Sequence, residues 1–194
     1  AVVVGLALDD DGIPATAAGR LAIAEKIIAR AAEYGIEKRN IIIDPLALTI
    51  STGPDNAAVD LEVIRKLAEQ KIKTIMGVSN ISFGLPSRDA VNSTFFTLAM
   101  EAGLSCAIIN PQSKAMLDAY YAYRALKGLD EGCTAYVKRF ADSGNKVPAA
   151  AVSEYTLRDA IVKGLQEQSR LAVTRLLETE KPLDLSLIHI SEPT

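Results

Sequence analysis

The sequence predicts an α/β fold, four βα units arranged as half of a (β/α)8 barrel, followed by further α-helices. Three observations predict it. Short runs rich in β-branched and other apolar residues recur at 2–8, 41–43, 74–78 and 104–109. Between them lie stretches whose apolar side chains return at helical spacing, the alternation that parallel strands with covering helices require. The strand starts fall roughly 30 to 40 residues apart, the length of one βα unit, and a complete eight-unit barrel takes about 250 residues. The chain opens inside strand-like sequence without a start methionine. It is therefore read as a piece of a larger protein whose first half precedes it, against the alternative of a complete four-stranded α/β domain.

Taken in order, the run at 2–8 is continuously apolar, the mark of a strand buried on both faces. The turn Asp9-Asp10-Asp11-Gly12-Ile13-Pro14 ends it, and Thr16 is placed as a helix N-cap. Leu21, Ala24, Ile27, Ile28 and Ala31 then share one helix face, with Gly35 where a helix C-terminus favours glycine. Ile41-Ile42-Ile43 is the second strand and ends at Asp44-Pro45. A polar loop over 49–56 leads to a helix that turns Val59, Val63, Ile64 and Leu67 inward. The third strand runs into the polar loop GVSNISFGLPSR at 77–88 and a helix to about Ala102, where Gly103 stops it. The fourth strand closes at Asn110-Pro111, and a helix over 112–127 carries Tyr120, Tyr121 and Tyr123 as a packed face. Right-handed crossovers put all the strand-to-helix loops on one rim. Residues 1–140 thus form the partial barrel, 141–152 a linker, and 153–184 a helical module with a junction near Gly164. The last stretch, 185–194, continues no earlier pattern and is read as a non-native tail that takes His189 with it.

Composition narrows the function classes. A net charge of −3 gives no pull towards nucleic acid or membrane, and no apolar run is long enough to span a bilayer. Two distant cysteines and one histidine offer neither a disulfide framework nor a zinc site, which fits a reducing cytoplasm. With His189 set aside, no Ser-His or Cys-His nucleophile can be assembled. No glycine-rich phosphate loop is present either.

What remains is a set of polar groups at strand ends: Asp44, Ser79, Asn80, Ser82 and Asn110. A carboxylate at 44 can accept two parallel hydrogen bonds from a planar N–H/NH2 edge, or can simply cap its own loop. The Asn80 amide offers a donor and an acceptor together, or an asparagine adapted to a left-handed turn. Spacing alone leaves both pairs of readings open. Ser79 and Ser82 read as turn hydroxyls, Arg88 as a helix start and Asn92 as a helix-surface residue. Cys106, in a strand, reads as an inert buried hydrophobe.

IIIDPLALTISTG, GVSNISFGLPSRDAVNSTFF and AGLSCAIINP, with LDDDGIPATAAGRLAIAEK before them, resemble one family over about residues 2–140. They are similar to the pterin-binding domain of methyltetrahydrofolate–corrinoid methyltransferases and of cobalamin-dependent methionine synthase. The resemblance implies a (β/α)8 barrel related to dihydropteroate synthase, of which these four strands are the fifth to the eighth. It implies that Asp44 grips the amino-pyrimidine edge of the pterin, and that Asn80, as the catalytic residue, hydrogen-bonds near N5. Gly77, Ser79 and Phe83 would line the pocket. The methyl donor would be 5-methyltetrahydrofolate. The acceptor would be the cobalt of a cobalamin or other corrinoid carried by a partner domain or protein. Neither nucleic acid nor membrane is expected as a partner, and a homodimer is left open. Residues 155–180 resemble the opening helices of the cap that precedes a cobalamin-binding domain. This piece by itself is expected to lack activity, because the other half of the barrel supplies further pterin ligands.

Two rival readings stand beside this one. Dihydropteroate synthase shares the barrel and the aspartate. However, Asp44-Pro45 here runs into Leu46-Ala47-Leu48 rather than glycines, and the loop after the third strand has no lysine. A pterin-binding module without catalysis is the other.

Overall fold

Val3–Leu6 (β1), Ile41–Asp44 (β2), Lys73–Gly77 (β3) and Cys106–Ile108 (β4) pair in that order, each neighbour parallel to the next. Helices Ala17–Glu33 (α1), Asn56–Glu69 (α2), Arg88–Ala102 (α3) and Lys114–Leu126 (α4) follow the four strands in turn. This is the topology of half a (β/α)8 barrel. The computed structural model describes residues 2–140, 156–162 and 166–178. By its internal contacts the chain divides into two units, 1–139 and 140–194.

The helix ends obey local chemistry. The Thr16 side chain accepts from Gly19 N–H at 3.2 Å and caps α1. Gly35 and Gly103, just beyond α1 and α3, take positive φ of 72° and 104°, which an L side chain resists. Gly5 has a different reason to be glycine: a Cβ there would stand 2.8 Å from the Ile27 side chain. Its bare backbone lets α1 lie close against β1.

The register decides which side chains are buried. Val3 pairs with Ile41, Gly5 with Ile43, and Ile43 with Thr74. Alternation therefore points Ile41, Ile43, Thr74 and Met76 to the helix side, where all four are fully buried. Ile41, Ile43, Ala24, Val63 and Leu67 make one core cluster. Met76, Ile64, Phe95, Phe96 and Met116 belong to a second.

Among the described residues of the first unit, none covers the opposite face of the sheet. Val4 is 52% exposed, Leu6 46% and Ile108 60%. The reading of residues 2–8 as a strand buried on both faces is corrected here, because β1 buries only its helix side. Cys106 is likewise exposed rather than buried. A continuous apolar run shows that both faces are apolar, whereas covering each face depends on what packs there.

Beyond β4 and α4, Thr134–Phe140 forms a short helix (α5), and the second unit contains Leu157–Val162 (α6) and Gln166–Leu176 (α7). Of the helical module read at 153–184, the described residues lie in or directly beside these two helices. The linker at 141–152, Gly164 and the tail with His189 lie outside the described residues. Among the described residues no helix is long and apolar enough to cross a membrane, and no group of His, Cys, Asp and Glu could hold a metal ion.

One-sided burial has a measurable signature. Ile43→Ala should cost about 2–5 kcal/mol in chemical denaturation, the usual loss for truncating a fully buried branched side chain. Leu6→Ser on the uncovered face should change stability by less than about 1 kcal/mol.

Candidate functional site

The rim at the carboxyl ends of the strands is built from two loops stitched together. The first leaves β2 at Asp44, which is half-buried. Its Oδ1 accepts the Leu46 N–H at 2.8 Å, closing a tight turn in which Leu46 holds a φ of +65°. Burial raises the Asp44 carboxyl above the ordinary carboxylate range, and the Leu46 N–H opposes that rise. Among the described residues no hydrogen bond engages Asp44 Oδ2.

The second loop leaves β3 at Gly77 and winds into a 3-10 turn, Val78–Ser82. Val78 and Ile81 are driven into the core at 0% and 1% exposure. With those two anchored, Ser79 is left half-buried and Asn80 exposed on the rim. A Cβ on Gly77 would sit 3.3 Å from Asn80 Nδ2, so the amide folds back over the bare glycine.

Backbone and hydroxyl contacts hold the two loops in register. Ile50 N–H donates to the Ile81 carbonyl at 3.0 Å. Thr49 Oγ1 and Ser51 Oγ donate to the Phe83 carbonyl at 2.7 and 3.2 Å. Asn56 Nδ2 donates to the Thr49 carbonyl at 2.8 Å and anchors the first loop to α2. Arg88, at the first position of α3, reaches back along the second loop. Its Nε donates to Ser82 Oγ at 2.9 Å and its Nη2 to the Ser79 carbonyl at 2.7 Å.

Of the residues singled out from sequence, Asp44 and Gly77 end adjacent strands, and Ser79, Asn80 and Phe83 follow in the second loop. Continuing the β2–β3 register puts Asp44 level with Ile75, two residues before Gly77 on the same strand face. The Phe83 ring is 68% exposed, while its carbonyl is the point where the loops join. Asn110 caps its own turn by accepting from Gln112 N–H at 2.9 Å. Ser82 is a turn hydroxyl, as its sequence context implies, but a fully buried one. Asn92 departs from its reading as a helix-surface residue: it is 5% exposed, and its Oδ1 lacks a partner among the described residues.

The sequence reading passed over Thr49, Ser51 and the anchoring role of Arg88. Hydroxyls and an arginine near helix starts are too common to signal a cross-loop contact. It also passed over Arg20 and Asp60, which are fully buried and joined by an ion pair. A signal for these two was present. Ala17, Arg20, Ala24 and Ile27 fall on one helical stripe, and Ala57, Asp60, Ile64 and Leu67 on another. A lone charge on each apolar stripe points to a buried pair.

Asp44 therefore presents one uncommitted carboxylate oxygen, next to a strand end where an exposed amide lies over a glycine. Such a rim can accept hydrogen bonds from a planar N–H edge and can donate to, or accept from, a nearby heteroatom.

Comparison with known proteins bears on which ligand this is. Residues 16–110 match the pterin binding enzyme family. The chain is 34% identical over 141 residues to a methylcorrinoid:tetrahydrofolate methyltransferase of Eubacterium limosum, a match covering 71% of this chain and 52% of the relative. It is 38% identical over 119 residues to methionine synthases of Mycobacterium tuberculosis and Mycobacterium leprae, covering 57% of this chain and 10% of each relative. The chain thus spans about half the length of the first relative and a tenth of the other two.

The Arg88 contact predicts a local defect on its removal. Arg88→Ala leaves the buried Ser82 hydroxyl short of a donor and should cost about 1–3 kcal/mol. Hydrogen exchange should accelerate at residues 79–83 and not in α1.

Proposed function

We propose that this chain, whose residues 16–110 carry the pattern of the pterin binding enzyme family, is the part of a methyltransferase that holds methyltetrahydrofolate by its pterin ring. The methyl group on N5 passes to the cobalt of a corrinoid carried by another domain or protein. The observation that carries this reading is the Asp44 carboxylate, with Oδ1 fixed by Leu46 N–H and Oδ2 left for a ligand, on the rim that also presents Asn80. In this reading the four strands are the fifth to the eighth of the barrel, and the setting is cytoplasmic.

Each residue has a task that follows from its chemistry. Asp44 accepts the N–H and NH2 of the amino-pyrimidine edge, one on Oδ2 and the other on the second lone pair of Oδ1, and so fixes the plane of the pterin. Gly77 leaves room at the end of β3 for the Asn80 amide, while Ser79 and the Phe83 ring flank the pocket. Asn80 hydrogen-bonds at N5. A tertiary amine is a poor leaving group, because the electron pair of the breaking C–N bond must return to nitrogen. A donor whose hydrogen bond strengthens as that pair develops lowers the barrier selectively. When bound, the corrinoid cobalt supplies the nucleophile for the methyl group; the residues of this chain orient N5 towards it.

The same site could serve the transfer in reverse. The name of the Eubacterium limosum relative contains a methylcorrinoid and tetrahydrofolate. In the reverse transfer N5 is the nucleophile, and the same amide then accepts or releases the same hydrogen bond. Asn80 and Asp44 keep their places in both.

A dihydropteroate synthase reading would need a cation near the second loop. Arg88 is the cation there, and its Nε and Nη2 are committed to Ser82 and Ser79. The methyltransferase reading is therefore preferred.

Two outcomes test this reading in the parent protein. Asn80→Ala should lower methyl transfer about 10^2-fold or more, as removal of a transition-state donor does, with a smaller change in pterin affinity. Transfer that survives unchanged would remove Asn80 from the chemistry, and loss confined to affinity would make it a binding residue. The second outcome concerns pH. Pterin binding needs the Asp44 carboxylate ionised, and burial raises its pKa. Affinity should therefore weaken on acidification at a pH above the ordinary carboxylate range, and Asp44→Asn should abolish that acid limb.

A further inference from the structure

The buried arginine behind the rim has more partners than its helix requires. Arg20 leaves α1 with its side chain wholly removed from water, and its donors reach three separate segments. Nε donates to the Pro14 carbonyl in the loop after β1 at 2.9 Å. Nη1 donates to the Pro45 carbonyl at 2.9 Å and the Leu46 carbonyl at 3.2 Å, both in the turn that follows Asp44. The same nitrogen lies 2.5 Å from Asp60 Oδ1 on α2, also fully buried. A lone guanidinium in this position would be prohibitively costly, so Asp60 is what keeps it there.

From this geometry we infer that Arg20, anchored by Asp60, is a positioning residue that holds the Asp44 carboxylate in its ligand-binding orientation. The inference rests on the pterin-binding reading of Asp44. The chain of contacts is short. Arg20 holds the Pro45 carbonyl, which shares one planar peptide unit with the Leu46 N–H, and the Leu46 carbonyl of the next peptide, and so fixes the direction of that N–H. That N–H occupies Asp44 Oδ1 and leaves Oδ2 for the ligand. Leu46 holds a φ of +65°, a conformation that a leucine does not adopt without restraint. The clamp supplies the restraint. Nε serves Pro14 while Nη1 is shared among Pro45, Leu46 and Asp60, two donor positions that a single ammonium cannot occupy at once; Nη2 and Asp60 Oδ2 have no partner among the described residues.

The pair also carries electrostatic weight. Burial pushes the Asp60 carboxyl up to about 7 while Arg20 pulls it down, and the Asp44 charge adds to the rise.

The test is Arg20→Lys, which keeps the positive charge and removes the fork. In the ligand-free 194-residue chain, amide exchange at Leu46 should accelerate tenfold or more. The carboxyl titration of Asp44, followed by carbon NMR, should move upward, because the hydrogen bond that lowers it is lost while the cation remains. If Arg20→Lys does not fold, Asp60→Asn removes the anchoring charge but keeps an acceptor at Oδ1, and Leu46 exchange should again rise. A folded variant with unchanged Leu46 exchange and unchanged Asp44 titration would overturn the inference. Methyltetrahydrofolate affinity, measured for the same variants of the parent protein, should fall about tenfold. If the Asp44 titration moves and that affinity does not, the positioning role stands and the pterin reading of Asp44 is the part that fails.

Discussion

The parallel ladder from β1 to β4 is the constraint from which the other features follow. It levels the strand ends, so Leu6, Asp44 and Ile75 stand side by side and the loops after β2 and β3 leave from neighbouring points. It also divides the side chains into two sets. Those on the helix side form the two core clusters, and those on the other side include the exposed Val4, Leu6, Cys106 and Ile108. Parallel sheets are most often covered on both faces, so this apolar face is the side of the sheet that the described residues leave exposed. Asp44 lies on that same face. The candidate site and the exposed side of the sheet are therefore one surface.

The rim gains its shape from contacts that tie loop to loop rather than loop to ligand. Thr49 and Ser51 hold the Phe83 carbonyl, Ile50 pairs with Ile81, and Arg88 draws the 3-10 turn back onto α3. Behind them, Arg20 and Asp60 join the loop after β1, the turn after β2 and α2 through one buried guanidinium. Binding groups on loops are usable only when such supports fix their rotamers, because a shift of about 1 Å can cost 10^2-fold in a reaction that depends on orientation. The exposed amide of Asn80 and the uncommitted oxygen of Asp44 are the parts left outward by this scaffolding.

Much of this was legible in the chain. The β-branched runs, the helical stripes, the Thr16 cap and the glycines beyond α1 and α3 are all local signals, and local chemistry settled them. Asp44, Ser79 and Asn80 were legible as polar groups where apolar strands end. The SN-S-FGLP pattern was specific enough to indicate a family. What escaped were relations between distant positions. The Phe83 carbonyl as a junction and the meeting of Arg20 with Asp60 each depend on two segments coming together, and although a lone charge on each apolar stripe marks a buried pair, no window of sequence says what else that pair holds. The reading of Cys106 as buried failed for the same reason. Its side chain is small and apolar, but whether it is covered depends on what else packs against that strand face.

Local signals along the chain thus set the elements, their order, their parallel pairing and the polar residues at the strand ends. These follow from periodicity, turn chemistry and the handedness of βα crossovers, which act within a few tens of residues. Only the tertiary structure decided which oxygen of Asp44 is committed, how the Asn80 amide folds over Gly77, and that a buried guanidinium stands behind both Leu46 and Pro45. The first two are contacts between near neighbours in the chain, whereas the guanidinium bonds carbonyls 25 and 26 residues away. Such bonds have a definite geometry only after the helices have packed and water has been removed from between them.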